Sequence, residues 1–309
     1  MHVLVTGGTG FAGRYAVAEL AAHGHRVSVL DRAGGASTDG AHAVYPADVC
    51  AAAHVAEAVA ACRPDACLHL AALSFVPEGD ADPAGMLNVN VRGTLNVLEA
   101  VRALNRPVRT VVVSSSQVYG NPVEPVTEDA PLAPTGVYGV SKAAADLLAL
   151  SYRRQYGLDV VIARPTNHTG PGQPVRFAVP AFAEQVCRAR AAASPAIRVG
   201  NLESRRVILD VRDVARAYRL LIESDRAEGV YNLSGAERLP MRSVLDRLCA
   251  LAGVRARYEV DPARYRPTDH AVRLDTGRLA ALTGWRPEIP LDQTLVDVLN
   301  ALDTSTRTT

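Results

Sequence analysis

Lysine is almost absent from this 309-residue chain: of its 33 lysines and arginines, all but Lys142 are arginine. With the high alanine content, that bias points to a GC-rich coding sequence, and it leaves the chain a single side-chain ammonium. Excess charge is also lacking. Acidic and basic residues nearly cancel to +1, which excludes the basic surplus typical of nucleic-acid and membrane-surface binders. The five cysteines, Cys50, Cys62, Cys67, Cys187 and Cys249, show no C-x-x-C spacing. A disulfide framework and a zinc site are thereby disfavoured, no metal is expected, and reduced, mostly buried thiols fit better. No apolar run reaches membrane-spanning length, and the chain enters Val3-Leu4-Val5 without a charged region and apolar core of signal type. The expected compartment is the cytoplasm. Internal repeats and low-complexity linkers are missing as well.

What is present is a large apolar fraction, 48% of residues, enough for one large α/β domain or a nucleotide domain with a smaller partner. Val3 to Thr6 reads as a short buried strand. It runs into glycines at 7, 10 and 13 and then into a helix from Arg14 to Ala22. Glycines at this spacing suit a tight strand-to-helix turn, and the missing side chains let backbone N–H groups approach a pyrophosphate at the helix N-terminus. A bare glycine motif predicts little. Here a strand precedes it, a helix follows, and a second strand from Arg26 to Leu30 ends in Asp31, the context a dinucleotide site requires. A carboxylate at Asp31 can accept from an adenosine ribose and repels a 2′-phosphate, which favours NAD over NADP. Arg32 beside it partly offsets that preference.

Strands and helices then alternate. Ala43 to Pro46 is strand-like and leads to Asp48-Val49, a candidate neighbour of the adenine. Ala51 to Cys62 reads as a helix, Ala66 to Leu70 as a strand, Pro83 to Leu104 as one long helix, and Arg109 to Val113 as a strand. Val137 to Tyr156 reads as a helix and Asp159 to Ala163 as the strand after it. Repeated β-α units of this length predict a doubly wound parallel sheet. Ligands bind beyond the carboxyl ends of such strands, where the glycine loop, His69-Leu70-Ala71-Ala72 and the serines at 114–116 all fall. From Arg164 to Gln173 the chain is rich in proline and glycine, the rhythm fails, and a second lobe begins.

Tyr138 and Lys142 stand one turn apart on one helix face. An ammonium beside a phenol favours the phenolate, so the pair can exchange a proton near neutral pH. Alone, the spacing is equally that of a solvated helix.

With these residues in place, the chain resembles the extended short-chain dehydrogenase/reductase family over nearly its whole length. The resemblance rests on T-G-G-T-G-F-A-G at 6–13, H-L-A-A at 69–72, S-S-S-Q-V-Y-G at 114–120 and Y-G-V-S-K at 138–142. It implies an α/β fold: a doubly wound parallel Rossmann sheet with a smaller mixed α/β C-terminal substrate lobe. The cofactor domain would span 1–165, with 207–225 returning to it. The nucleotide-sugar lobe would span 166–206 and 226–302, with 303–309 a disordered tail. Ser115, Tyr138 and Lys142 would be catalytic: Ser115 bonding the substrate oxygen, Tyr138 as acid/base, Lys142 holding the nicotinamide ribose and lowering the tyrosine pKa. An NAD(H) or NADP(H) cofactor would lie on Gly7, Thr9, Gly10, Phe11, Gly13, Asp31, Arg32, Asp48, Val49, Leu70, Ala71, Ala72, Tyr138, Lys142 and Pro165. The implied partner is a nucleotide-sugar, with a homodimer built on Pro83 to Leu104 and Val137 to Tyr156.

The second half is most similar to the GDP-4-keto-6-deoxy-D-mannose reductases, which form GDP-D-rhamnose. Its motifs are R-P-T-N-H-T-G-P-G-Q at 164–173, R-V-G-N-L-E-S-R-R at 198–206, V-D-P-A-R-Y-R-P-T-D at 260–269 and L-T-G-W-R-P-E-I-P at 282–290. That resemblance assigns substrate binding to Ser116, Gln117, Asn167, Arg206 and Arg266, the two arginines pairing with the diphosphate. The chain departs from the pattern at Val207-Ile208-Leu209, at Thr166 and at Asp31. A 4,6-dehydratase needs an acid and a base after the catalytic serine. Ser116 and Gln117 stand there, and an amide cannot remove the C5 proton. A 4-ketoreductase and a 4-epimerase would both use the serine, tyrosine and lysine. Asp31 suits the epimerase slightly better, but the C-terminal motifs, which span more residues, favour the 4-ketoreductase, and that is the expected activity. A non-catalytic nucleotide-binding protein would more often have lost one of them.

Overall fold

A computed structural model describes residues 1–32, 39–190, 195–265 and 272–306. It divides into two compact units. The first comprises Met1–Pro165, Val214–Leu233 and Leu274–Arg286. Its opening elements are β1 (His2–Thr6), α1 (Phe11–Ala22), β2 (Arg26–Asp31), β3 (Ala41–Pro46), α2 (Ala52–Cys62) and β4 (Ala66–His69). Then come α3 (Val76–Ala81), α4 (Pro83–Leu87), α5 (Gly93–Ala103), β5 (Arg109–Val113), α6 (Gly136–Tyr156) and β6 (Val160–Pro165). A later strand, Gly229–Leu233, pairs in parallel with β6 and completes a seven-stranded sheet. The order is Gly229–Leu233, β6, β5, β4, β1, β2, β3, with every neighbouring pair parallel.

The central strands are apolar runs without alternation, Val-Leu-Val in β1 and Val-Val-Val in β5, and both their faces are buried. Such runs are what a parallel sheet covered by helices on each side demands. Under α2 and α5 the core holds Leu4, Leu30, Val55, Val59, Val97 and Val101. Under α6 it holds Leu98, Val112, Ala149, Tyr152 and Ile162.

The second unit comprises Thr166–Asp213, Ser234–Arg273 and Pro287–Thr309. It is a mixed assembly with two small sheets, one ordering strands Arg238–Pro240, Arg205–Asp210 and Asn167–Thr169, the other pairing Arg257–Val260 with Ala196–Val199. Its own core packs helices Ala178–Ala189, Met241–Ala252 and Leu291–Thr306 through Phe182, Val186, Leu245, Leu248, Leu295 and Val298.

Three expectations need correction. The segment returning to the first unit is 214–233, not 207–225, and 274–286 joins it; parallel pairing with β6 recruits the first of these, and that partner is remote in sequence. The helix anticipated over Pro83 to Leu104 is interrupted by a π-turn at Asn88–Arg92. A short helix, α3, over residues for which no element was expected, precedes it with Pro77 at its first turn. The last helix runs through Thr306, so 303–306 are helical rather than disordered. Asp303 there is ion-paired with Arg190. Residues 307–309 lie outside the described residues.

Candidate active site

The first unit gathers its strand ends into a cradle. Past Thr6 the chain turns through Gly7 at a φ of +72°, a conformation glycine adopts without penalty. A Cβ on Gly7 would lie 2.8 Å from the backbone of Ala71, and one on Gly13 would collide with the Gly7 carbonyl oxygen. The glycine loop and the Leu70-Ala71-Ala72 turn are therefore pressed together with no room for side chains. Gly10 caps α1 without a side-chain hydrogen bond, and the first turn carries no acidic residue. Backbone N–H groups and the helix dipole thus face the loop, which suits a pyrophosphate. Asp31, at the end of the adjacent β2, accepts from Thr9 N at 3.1 Å, so the carboxylate stands at the loop where a ribose diol would be held. Arg32 is exposed. These residues fit a nicotinamide dinucleotide.

Around the cradle, Asp48 accepts from Cys50 N at 2.8 Å, and Asn96 Nδ2 donates to Val49 O at 2.7 Å. The Asp48-Val49 turn is thereby pinned to α5. Phe11 packs edge-on against Tyr15. Pro165 ends β6, opposite Leu233.

His69 organises the floor. Its Nδ1 is 2.7 Å from Thr6 Oγ1 and its Nε2 is 3.0 Å from Thr94 Oγ1. Thr94 donates its own proton to Asn90 O at 2.7 Å, so Nε2 must be the protonated nitrogen and Nδ1 the acceptor. Burial, and then the charge of Lys142, hold this imidazole neutral down to about pH 3.

Ser115 and Tyr138 face each other. Ser115 Oγ accepts from Gln117 N at 3.2 Å and caps the 3₁₀ turn Ser116–Tyr119. Burial pushes the Tyr138 phenol above its ordinary range, and the hydrogen bond from Ser115 pulls against that rise. Lys142 is buried with its Nζ 2.8 Å from Val113 O, at the end of β5. This corrects one expectation: the phenol is shifted up, not down, because desolvation dominates and the ammonium is engaged on the strand end. Burial lowers the lysine itself to about 8, with Asp146 opposing.

Behind this set lie residues whose roles the motifs do not reveal. Asn90, in the π-turn, donates to Ser141 Oγ at 2.9 Å, and Ser141 donates to Tyr138 O at 2.8 Å. The same Asn90 amide clamps Leu73 through its N–H and carbonyl. Asp146, one turn past Lys142, is fully buried and paired with Arg164 at 2.7 Å. The i+4 spacing from Lys142 to Asp146 was the available signal. On a helix it reads equally as a surface pair.

Of the substrate candidates, Ser116 is buried and Gln117 half-buried in the turn after Ser115. Asn167 and Arg206 belong to the second unit, on neighbouring parallel strands in which Asn167 sits opposite Ile208. The Arg206 guanidinium donates to Ser204 Oγ at 2.6 Å and to Arg205 O at 2.9 Å. Arg266 lies outside the described residues.

Against known proteins, residues 4–298 match the family model for GDP-mannose 4,6 dehydratase. The chain belongs to this family, within the extended short-chain dehydrogenases/reductases. GDP-6-deoxy-D-mannose reductase of Pseudomonas aeruginosa is 36% identical over 249 residues, 79% of this chain and 82% of that protein. A dTDP-glucose 4,6-dehydratase of Streptomyces niveus is 31% identical over 97% of this chain and 92% of its own. Among solved structures, RMD from Pseudomonas aeruginosa complexed with NADPH superposes with a TM-score of 0.86 at 32% identity, covering 98% of this chain and 99% of that one. UDP-glucose 4-epimerase of Thermus thermophilus, in complex with NAD, gives 0.87 at 31% identity over 98% and 99%.

Proposed function

We propose that this protein is an NAD(P)H-dependent reductase of the 4-keto group of a nucleotide-activated 4-keto-6-deoxy sugar, with GDP-4-keto-6-deoxy-D-mannose as substrate and GDP-D-rhamnose as product. The observation that carries the reading is the set Ser115, Tyr138 and Lys142 gathered in the first unit at the end of β5, with an amide, Gln117, following the serine. A phenol that keeps its proton is a donor, and reduction of a ketone requires one at the carbonyl oxygen as that oxygen gains charge. Ser115, its oxygen already accepting from Gln117 N, can turn its hydroxyl hydrogen from Tyr138 to the same developing oxyanion. NAD(P)H on the glycine cradle supplies the hydride. Lys142 adds positive charge beneath the site and, through its grip on Val113 O, fixes the helix that bears Tyr138. Gln117, an amide, offers no base at C5, which weighs against dehydration. An epimerase would use the same three residues, and the motifs at 164–173, 198–206 and 282–290 favour the reductase over it.

Asp31 favours NADH over NADPH by charge repulsion at the ribose. We assign Asn167, Arg206 and Arg266, with Ser116 and Gln117, to the nucleotide-sugar. The working form we infer is a cytoplasmic homodimer through α6, where Val140 and Leu147, seven residues apart, are both exposed. Among the described residues no helix is long and apolar enough to cross a membrane.

The test is to mix the purified protein with GDP-4-keto-6-deoxy-D-mannose and NADH or NADPH and follow nicotinamide absorbance. Stoichiometric oxidation of the cofactor is expected, with Tyr138→Phe slower by about 10²–10⁴-fold. Absence of oxidation with both cofactors overturns the substrate, and isomerisation of a nucleotide-sugar without added cofactor would establish the epimerase instead.

A further inference from the structure

We propose that Asp146 and Arg164 are positioning residues that keep the Lys142 side chain charged and in place, so that the site works through a buried relay of three charges. The inference rests on the catalytic use of Lys142 proposed above, and its test is separable from that use.

Lys142 and Asp146 are neighbours by one helical turn on a buried face of α6, and Asp146 and Arg164 by an ion pair. Lys142 Nζ is held on Val113 O at 2.8 Å. Asp146 Oδ2 accepts from Arg164 Nε at 2.7 Å. Arg164, on β6, is itself fixed: its Nη1 donates to Tyr119 OH at 2.8 Å and to Glu128 O at 3.4 Å, and its guanidinium lies 4.9 Å from the Tyr119 ring centre. Tyr119 OH donates onward to Asn232 Oδ1 at 2.8 Å, on the strand that pairs with β6. Lysine, aspartate and arginine are 7%, 0% and 3% exposed. The relay therefore runs in a water-poor interior and is tied to three sheet strands.

A buried pair of this kind is a poor source of stability, because removing two ions from water costs about what their attraction returns. Its value here is electrostatic. Desolvation works against the lysine's charge, and Asp146 is the group that opposes it. Desolvation also works against the Asp146 carboxylate, and Arg164 is the foremost group opposing that, ahead of Ser114 and Lys142. Burial raises the Asp146 carboxyl and Arg164 is the first group opposing that rise; Asp146 in turn opposes the lowering of Lys142. The other groups facing this helix end supply no compensating negative charge. His69 on β4 is neutral, Ser115 and the Val113 carbonyl are dipoles, and the Tyr138 phenol and that of Tyr218, which faces it from helix Val211–Glu223, hold their protons.

Because Lys142 is the chain's one lysine, untagged protein labelled with [13Cε]lysine gives a single lysine signal, whose titration can be followed by NMR without substrate or cofactor. The signal should titrate near pH 8 in the native chain. In Asp146→Asn it should move down by about one pH unit or more, and in Asp146→Glu stay within about half a unit of the native value. The alkaline limb of kcat/KM should follow the signal in both. Asp146→Ser replaces Asp146→Asn if the latter does not fold. A lysine signal unmoved by loss of the carboxylate overturns the proposal, as does a moved signal with an unmoved limb in an enzyme that turns over. Failure of the native enzyme to oxidise NAD(P)H with the keto sugar leaves the NMR result standing and removes the reductase reading alone.

Discussion

His69 shows how one buried residue links the cofactor floor to pH. The unfolded chain takes up a proton at this imidazole near its ordinary 6.5, whereas the folded chain refuses it until about 3. The unfolded state is therefore favoured as pH falls below 6.5, and the stability His69 contributes is fully present only above that value. The slope from this group alone is about 1.4 kcal/mol per pH unit. Urea unfolding at pH 7.5 and pH 5 should show a loss of about 2 kcal/mol attributable to it. His69→Asn, which cannot be protonated, should lose less over the same interval; an equal loss in both proteins would contradict this assignment. At this scale the trio proposed as reactive could be picked out of the sequence, since Ser115, Tyr138 and Lys142 stand in short motifs. The direction of the Tyr138 shift was not. It depends on how deeply the phenol is desolvated and on where the lysine's hydrogens point, and neither leaves a pattern in local sequence.

At the scale of elements, the glycine loop makes the firmest statement. Gly13 is buried in the first turn of α1 with the Gly7 carbonyl directly against it. Gly13→Ala must push the loop off the helix or the helix off the sheet, an overpacking cost of about 1–3 kcal/mol. Thermal unfolding should register that cost. NADH or NADPH titration should lose affinity more than tenfold, because the displaced backbone is the part that meets the phosphates. Most strands and helices could be read from periodicity, and their ends differ by one to three residues from the structure. The π-turn at Asn88–Arg92 and the helical end at 303–306 both carry tertiary contacts that composition does not reveal: Asn90 to Leu73 and Ser141, Asp303 to Arg190.

At the scale of the molecule, two returning segments, 214–233 and 274–286, complete the first unit. Their partners are dozens of residues away, which is why a linear reading misplaced the boundaries. The same scale governs assembly. Val140 and Leu147 are exposed along α6, with Leu87 on α4 and Tyr156 at the end of α6. Leu147→Glu should convert a dimer to a monomer in size-exclusion chromatography with light scattering, at unchanged far-ultraviolet circular dichroism; a monomeric parent protein would count against the dimer. The choice of method matters here. With its one lysine sealed between α6 and β5, the folded chain offers amine-directed reagents nothing at its surface but the terminal amino group. Cross-linkers of that kind can join two protomers only through their terminal amino groups. The rate at which they reach Lys142 will instead count how often the helix carrying Tyr138 lifts away from the sheet.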